Sequence, residues 1–157
     1  MKKRIEQLKA LSLEEWRLLL SAMSLLPIVA LSLRMRGFKR TQKFIRRFIP
    51  KESALAEPGV AEMEKARGIA RMVAVAAGHG AYRANCLKQS LVLWWMLARR
   101  GIKSEVVFGI QKEAVEKFNA HAWVECNRIN LSDSDEVQQR FAAFQKSCNE
   151  LGVRGEK

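Results

Sequence analysis

The sequence predicts an α+β domain in which helices come first and a small antiparallel sheet follows. Three observations predict it. Apolar residues recur at three- and four-residue spacing until Gly101 and then alternate. The chain has 157 residues, 48% hydrophobic and 28% charged, enough for one domain with a core of its own. It contains no internal repeat and no low-complexity tract.

Residues 1–20 read as helix, with Ser12 placed to cap it. Glu14 and Glu15 follow in the first turn, where negative charge suits the helix dipole. Residues 18–33 carry no charge, a run of 16 that falls short of the roughly 18 expected of a spanning helix. Pro27 is expected to kink or break the helix there. A buried helical arm or a membrane-surface helix is expected, not a span. Residues 34–51 carry eight basic side chains interleaved with Phe38, Phe44, Ile45, Phe48 and Ile49. They can form a basic amphipathic helix that docks a membrane or a partner, with Arg40, Lys43, Arg46 and Arg47 as the docking candidates. They read equally as a solvated helix whose apolar side lies on the core. Pro50 ends the stretch and residues 54–59 look like a linker. The expected organisation is a basic helical region, 1–55, packed on or appended to a core of residues 56–157, compact as a whole.

Residues 60–77 form a strong helical window, with Met63, Ala66, Ile69, Ala70, Val73 and Ala77 on one face. Gly78-His79-Gly80 is expected to stop it. Residues 86–100 are apolar nearly all round and belong at the centre of the domain, with Gly101 as the stop. Strands are expected over 105–110, 119–126 and 128–131, the last two joined by a turn at Cys126-Asn127. Residues 133–151 return to a helical pattern, with Val137, Phe141 and Phe144 on one face.

The formal net charge is +12, and residues 1–51 hold 13 Lys/Arg against 3 Asp/Glu. The excess is therefore local to the N-terminal third. No zinc-finger spacing, stacking motif or helix-turn-helix accompanies it, so a nucleic-acid partner is not expected. Three cysteines, Cys86, Cys126 and Cys148, have no paired spacing, which argues for a reducing compartment. No cleavable signal is evident, so the expected location is cytoplasmic, with membrane association left open.

Cys86 and His121 carry the chemistry. Cys86 opens the central helix and His121 sits inside the second strand. A helix N-terminus and a nearby imidazole both favour thiolate over thiol, and the imidazole needs an acid to hold its tautomer. Strand parity puts His121, Trp123 and Glu125 on one face and Cys126 on the other, which removes Cys126 from a shared metal site. No CxxC spacing exists, and neither metal nor cofactor is expected. A two-residue hairpin turn puts residue 132 opposite His121 and a three-residue loop puts 133 there, so Asp133 can orient the ring, with Asp135 the fallback. Both acids read equally well as helix caps. His79 reads as a turn residue, Trp94 and Trp95 as core, and Trp123 as packing on the imidazole or lining a cleft.

The segment from Asn85 to Phe144 resembles the transglutaminase-like leader peptidase of lasso-peptide biosynthesis. The matching pieces are Cys86-Leu87 with Ser90-Leu91, Arg99-Arg100-Gly101-Ile102, Val106 to Gly109, His121-Ala122-Trp123-Val124-Glu125, then Asp133 and Arg140-Phe141. Leu13, Arg17 and the run ending at Pro27 are similar to the family's opening helix. The resemblance implies a papain-like or transglutaminase-like fold and a cysteine protease with Cys86 as nucleophile, His121 as base and then acid, and Asp133 as orienting acid. It implies a ribosomally made precursor peptide as substrate and a separate lasso cyclase downstream. No segment of a size suited to a leader-binding domain precedes the opening helix, so a separate small leader-recognition protein is the expected partner. The backbone N–H of Cys86 is an oxyanion donor candidate, with Gln89 and Asn85 as helpers. Two rivals remain: another Cys-His-Asp acyl-transfer enzyme, such as an amidase or cross-linking transferase, and a non-catalytic membrane or partner adaptor.

Overall fold

The structure is a computed structural model that describes residues 11–49, 58–79, 84–111, 120–132 and 141–146. Three helices and a four-stranded antiparallel sheet are described, in the α+β order expected. Helix α1 spans Leu13–Arg46, α2 Val60–His79 and α3 Cys86–Ala98. Strands β1 Glu105–Gln111, β2 Ala120–Cys126, β3 Ile129–Asn130 and β4 Phe141–Lys146 form one sheet in the order β3-β2-β1-β4.

Helix α1 begins where Ser12 caps it. The Ser12 hydroxyl accepts from the Glu15 N–H at 3.2 Å and the Glu15 carboxylate accepts from the Ser12 N–H at 2.9 Å, a reciprocal capping box. The Ser12 N–H holds the Glu15 carboxyl below its ordinary pKa, and the ion pair with Arg71 of α2 acts in the same direction. The expected break at Pro27 does not occur. The helix continues through it: the ring fits helical φ, and burial of Leu26 and Val29 beside it offsets the lost N–H hydrogen bond and the crowding of the preceding turn. The break falls at Gly37, whose φ of 71° and ψ of 175° lie in a region open essentially to glycine alone.

Helix α1 buries Leu18, Leu19, Ala22, Leu26 and Val29 in the same cluster as Met63, Ala66, Ile69 and Val73 of α2 and Leu91, Val92 and Leu97 of α3. Beyond Gly37 the chain turns back onto the domain. Ile45 is fully buried, Phe38 meets Phe108 of β1 edge-on at 5.6 Å, and Phe44 meets Trp95 at 6.3 Å. Thr41 is buried here because its hydroxyl is shared with Ser32 at 2.9 Å across the break. Helix α2 ends at His79, two residues later than the expected window and within the Gly78-His79-Gly80 stretch expected to stop it. Helix α3 is buried from Ser90 to Ala98 and ends as expected: Gly101, at φ 75°, lets the Ile102 N–H return to the Leu97 carbonyl at 3.2 Å.

Strands β1 and β2 pair with Val106 opposite Val124, Phe108 opposite Ala122 and Gly109 opposite His121. The even-numbered residues face the helices, and Val106, Val124 and Cys126 join the core cluster. The β2–β3 turn lies one residue later than expected. It is Asn127-Arg128, at φ 50° and 63°, the left-handed pair of a two-residue hairpin. Cys126 therefore faces Ile129 and Glu125 faces Asn130, and the expected pairing of residue 132 or 133 with His121 does not hold. Residues 133–151 were expected to be helical, yet 141–146 form β4. They pair antiparallel with β1, from Gln111 opposite Phe141 to Val107 opposite Lys146. Phe141, Phe144 and the alanines between them fit either period, and the open edge of β1 decides for the strand by supplying partners for its backbone.

Candidate active site

Cys86 is the first residue of α3. Asn85 caps the helix: its side-chain carbonyl accepts from the Lys88 N–H at 3.2 Å and its backbone carbonyl from the Gln89 N–H. Among the described residues, this leaves the N–H groups of Cys86 and Leu87 as the first-turn donors without a helical or capping partner. The Gln89 side chain donates to the Ala84 carbonyl at 2.8 Å and so braces the chain ahead of the cap. Cys86 is half-buried, whereas Cys126 is fully buried in the core and donates its thiol to the Lys103 carbonyl at 3.1 Å. Cys148 lies outside the described residues.

One hydrogen bond ties the start of α3 to β2. Ser90 lies four residues after Cys86, so the two share a helix face. Its hydroxyl, 1% exposed, donates to the Ala122 carbonyl at 3.0 Å. The Val124 carbonyl and N–H both point toward β3, to the Leu131 N–H and the Ser132 hydroxyl, each at 2.9 Å. By the two-residue alternation of a ladder, the Ala122 carbonyl points to the same edge, beyond the end of β3. Ser90 therefore meets β2 at the edge that faces β3. One helical turn after Cys86, it thus contacts the Ala122–Trp123 peptide at that edge.

His121, Trp123 and Glu125 share one face of β2, as parity predicts. The imidazole stacks on the Trp123 ring, with centroids 6.1 Å apart and planes 22° from parallel. Trp123, 1% exposed, donates its indole N–H to the Glu125 carboxylate at 2.9 Å. That bond fixes the indole, and the indole fixes one face of the imidazole. Gly109 lies directly across from His121 on β1, so no side chain crowds the ring from that strand. The pairing of β1 with β4 shifts register between Phe108 and Gly109, a bulge beside the same residue.

Ser132 fixes the chain just before Asp133. Its N–H donates to the Asn130 side chain at 2.9 Å, while its hydroxyl holds the Val124 N–H. Asp133, Asp135 and Arg140 lie outside the described residues. No group of three or more His, Cys, Asp or Glu suited to a metal ion occurs among the described residues. Arg40, Lys43 and Arg47 are exposed on the second part of α1 or just after it, and Arg46 is half-buried at its end. Sequence reasoning missed the positioning role of Ser90. The signal was present: it is the one polar side chain in SLVLWWMLA, an otherwise apolar run.

A half-buried thiol at a helix N-terminus, beside N–H groups without a helical partner, is suited to acyl transfer, while His121 lies on the face of β2 opposite the even-numbered residues that pack on the helices. Comparison with known protein families matches residues 28–146 to the transglutaminase-like superfamily, from within α1 to the last residue of β4. No curated protein and no solved structure matches the chain. The match takes in α3, the strand with His121 and most of the chain besides, and the chain therefore belongs to the transglutaminase-like superfamily.

Proposed function

We propose that this protein is a cysteine peptidase that removes the leader from a ribosomally made lasso-peptide precursor. The observation that supports the peptidase reading is the Ser90–Ala122 bond, which ties the helix that begins at Cys86 to the strand that holds His121 within a transglutaminase-like domain. The order of Cys86, His121 and Asp133, with the HAWVE segment intact, supports the narrower substrate.

Cys86 attacks the carbonyl at the leader–core junction, and the N–H groups of Cys86 and Leu87 receive the developing oxyanion. The carbon–nitrogen bond breaks as His121 gives its proton to the departing amine of the core. The leader then remains as a thioester on Cys86. Water, deprotonated by His121, attacks it and releases the leader as a carboxylate with the thiol restored. Asp133 holds the imidazole in the tautomer both steps need. A leader-binding partner presents the precursor, and a cyclase consumes the freed core.

The test is mass spectrometry of the cognate precursor incubated with this protein and its leader-binding partner in 18O-enriched water. Cleavage at the leader–core junction with one 18O in the new leader carboxylate supports the peptidase. A leader joined to an added amine, without label, indicates the transferase chemistry of the same superfamily. An intact precursor refutes the leader-peptidase reading.

A further inference from the structure

We propose that the outward face of α1 is a docking surface for an anionic lipid bilayer. The helix is apolar on both sides. Leu19, Ala22, Leu26 and Val29 face the core, and Trp16, Leu20, Met23, Ile28, Leu31 and Met35 are exposed on the opposite side. At 100° per residue those six fall within an arc of about 140° along roughly 30 Å of helix. Leu20 and Leu31 are 59% and 58% exposed and Met35 73%, an apolar ridge with Arg17 and Arg34 near its two ends and Ser24 within it, of the kind that marks an interaction surface. The helix is long and apolar enough to cross a membrane, but its other face is committed to α2 and α3. It can therefore lie on a bilayer and does not cross one.

Charge and hydrogen bonding identify the occupant. No acidic residue occurs between Glu15 and Glu52, while Arg17, Arg34, Arg36, Lys39, Arg40 and Lys43 are exposed beside or just beyond the ridge. The surface that covers it must be apolar in depth and negative at its boundary, as an anionic bilayer is. The polar side chains near the ridge offer a protein partner little to read. Ser21 donates back to the Arg17 carbonyl at 2.7 Å and Ser24 to the Ser21 carbonyl at 2.9 Å, so both hydroxyls are satisfied within the helix. Such a face can enter lipid without stranding a serine hydroxyl, and the Trp16 indole N–H at its end suits the headgroup level.

The test is flotation of the full chain with phosphatidylcholine vesicles, with and without about 30 mol% phosphatidylglycerol. The chain should float with the anionic vesicles, less so as salt rises. Trp94, Trp95 and Trp123 are buried, so the accompanying blue shift in emission should come from Trp16 and vanish in Trp16→Phe. The exposed double variant Leu20→Glu/Leu31→Glu should bind at least about tenfold more weakly with an unchanged unfolding midpoint. Absence of flotation overturns the proposal. So does flotation that is indifferent to Leu20→Glu/Leu31→Glu, which would be adsorption by charge alone. A concentration-dependent dimer abolished by the same variant also overturns it, because the ridge would then belong to a protein interface.

Discussion

Ser90 Oγ stands 3.0 Å from the carbonyl oxygen of Ala122, a buried hydrogen bond that joins the Cys86 helix to the His121 strand at the edge facing β3. A buried hydroxyl inside an apolar helix serves no solubility purpose. It satisfies a buried backbone carbonyl of β2.

Ser90→Ala should therefore cost about 0.5–1.5 kcal/mol of stability, since it removes a buried hydrogen bond. Urea denaturation measures that loss. Turnover under conditions where the variant is fully folded should fall further, because the start of α3 is no longer held to β2. A variant that loses stability but keeps full turnover would make Ser90 a packing residue only.

Gly37→Ala should destabilise the fold by about 1–3 kcal/mol. A Cβ there would meet nothing within 4 Å, so the cost is backbone strain at φ 71° and not collision. Thermal unfolding measures it. An unchanged midpoint would mean that α1 runs straight through residue 37.

The pH dependence of stability should contain a contribution from Glu15. Its carboxyl is held below the ordinary 4.5, mainly by the Ser12 N–H. A depressed carboxyl stabilises the fold above its unfolded pKa, and that contribution is lost as pH falls through the lower folded value. Unfolding midpoints measured from pH 6 down to about pH 3 should show this loss in the wild type and lack it in Glu15→Gln.

Much of the fold was legible because its signals are local. Ser12 with Glu15, Asn85 before an apolar run, and Gly101 after it mark helix ends by hydrogen bonds that span only a few residues. The errors arose where distant partners decide. Residues 141–146 carry no clear period, and the unpaired edge of β1 makes them a strand. Asn127-Arg128 takes the turn because both residues accept positive φ there, which moved the β3 register away from the one expected. For the site, Cys86 at a helix start and the His121–Trp123–Glu125 face could be read from period and parity. Ser90 stands out as a polar residue in an apolar run, but its partner could not be read, because it is a backbone carbonyl 32 residues away.

Asp133→Asn should reduce turnover by orders of magnitude with little effect on folding, because the amide favours the wrong imidazole tautomer. Asp135→Asn should be mild. Steady-state cleavage of the precursor by both variants decides the matter. The reverse ranking would assign the orienting role to Asp135.

The most direct test of the central claim, that Cys86 is the nucleophile, is mass spectrometry of precursor incubated with wild-type protein or Cys86→Ala, each with the leader-binding partner. The account predicts a free leader and core from the wild type and an intact precursor from a folded Cys86→Ala. Cleavage at the leader–core junction by folded Cys86→Ala would contradict it.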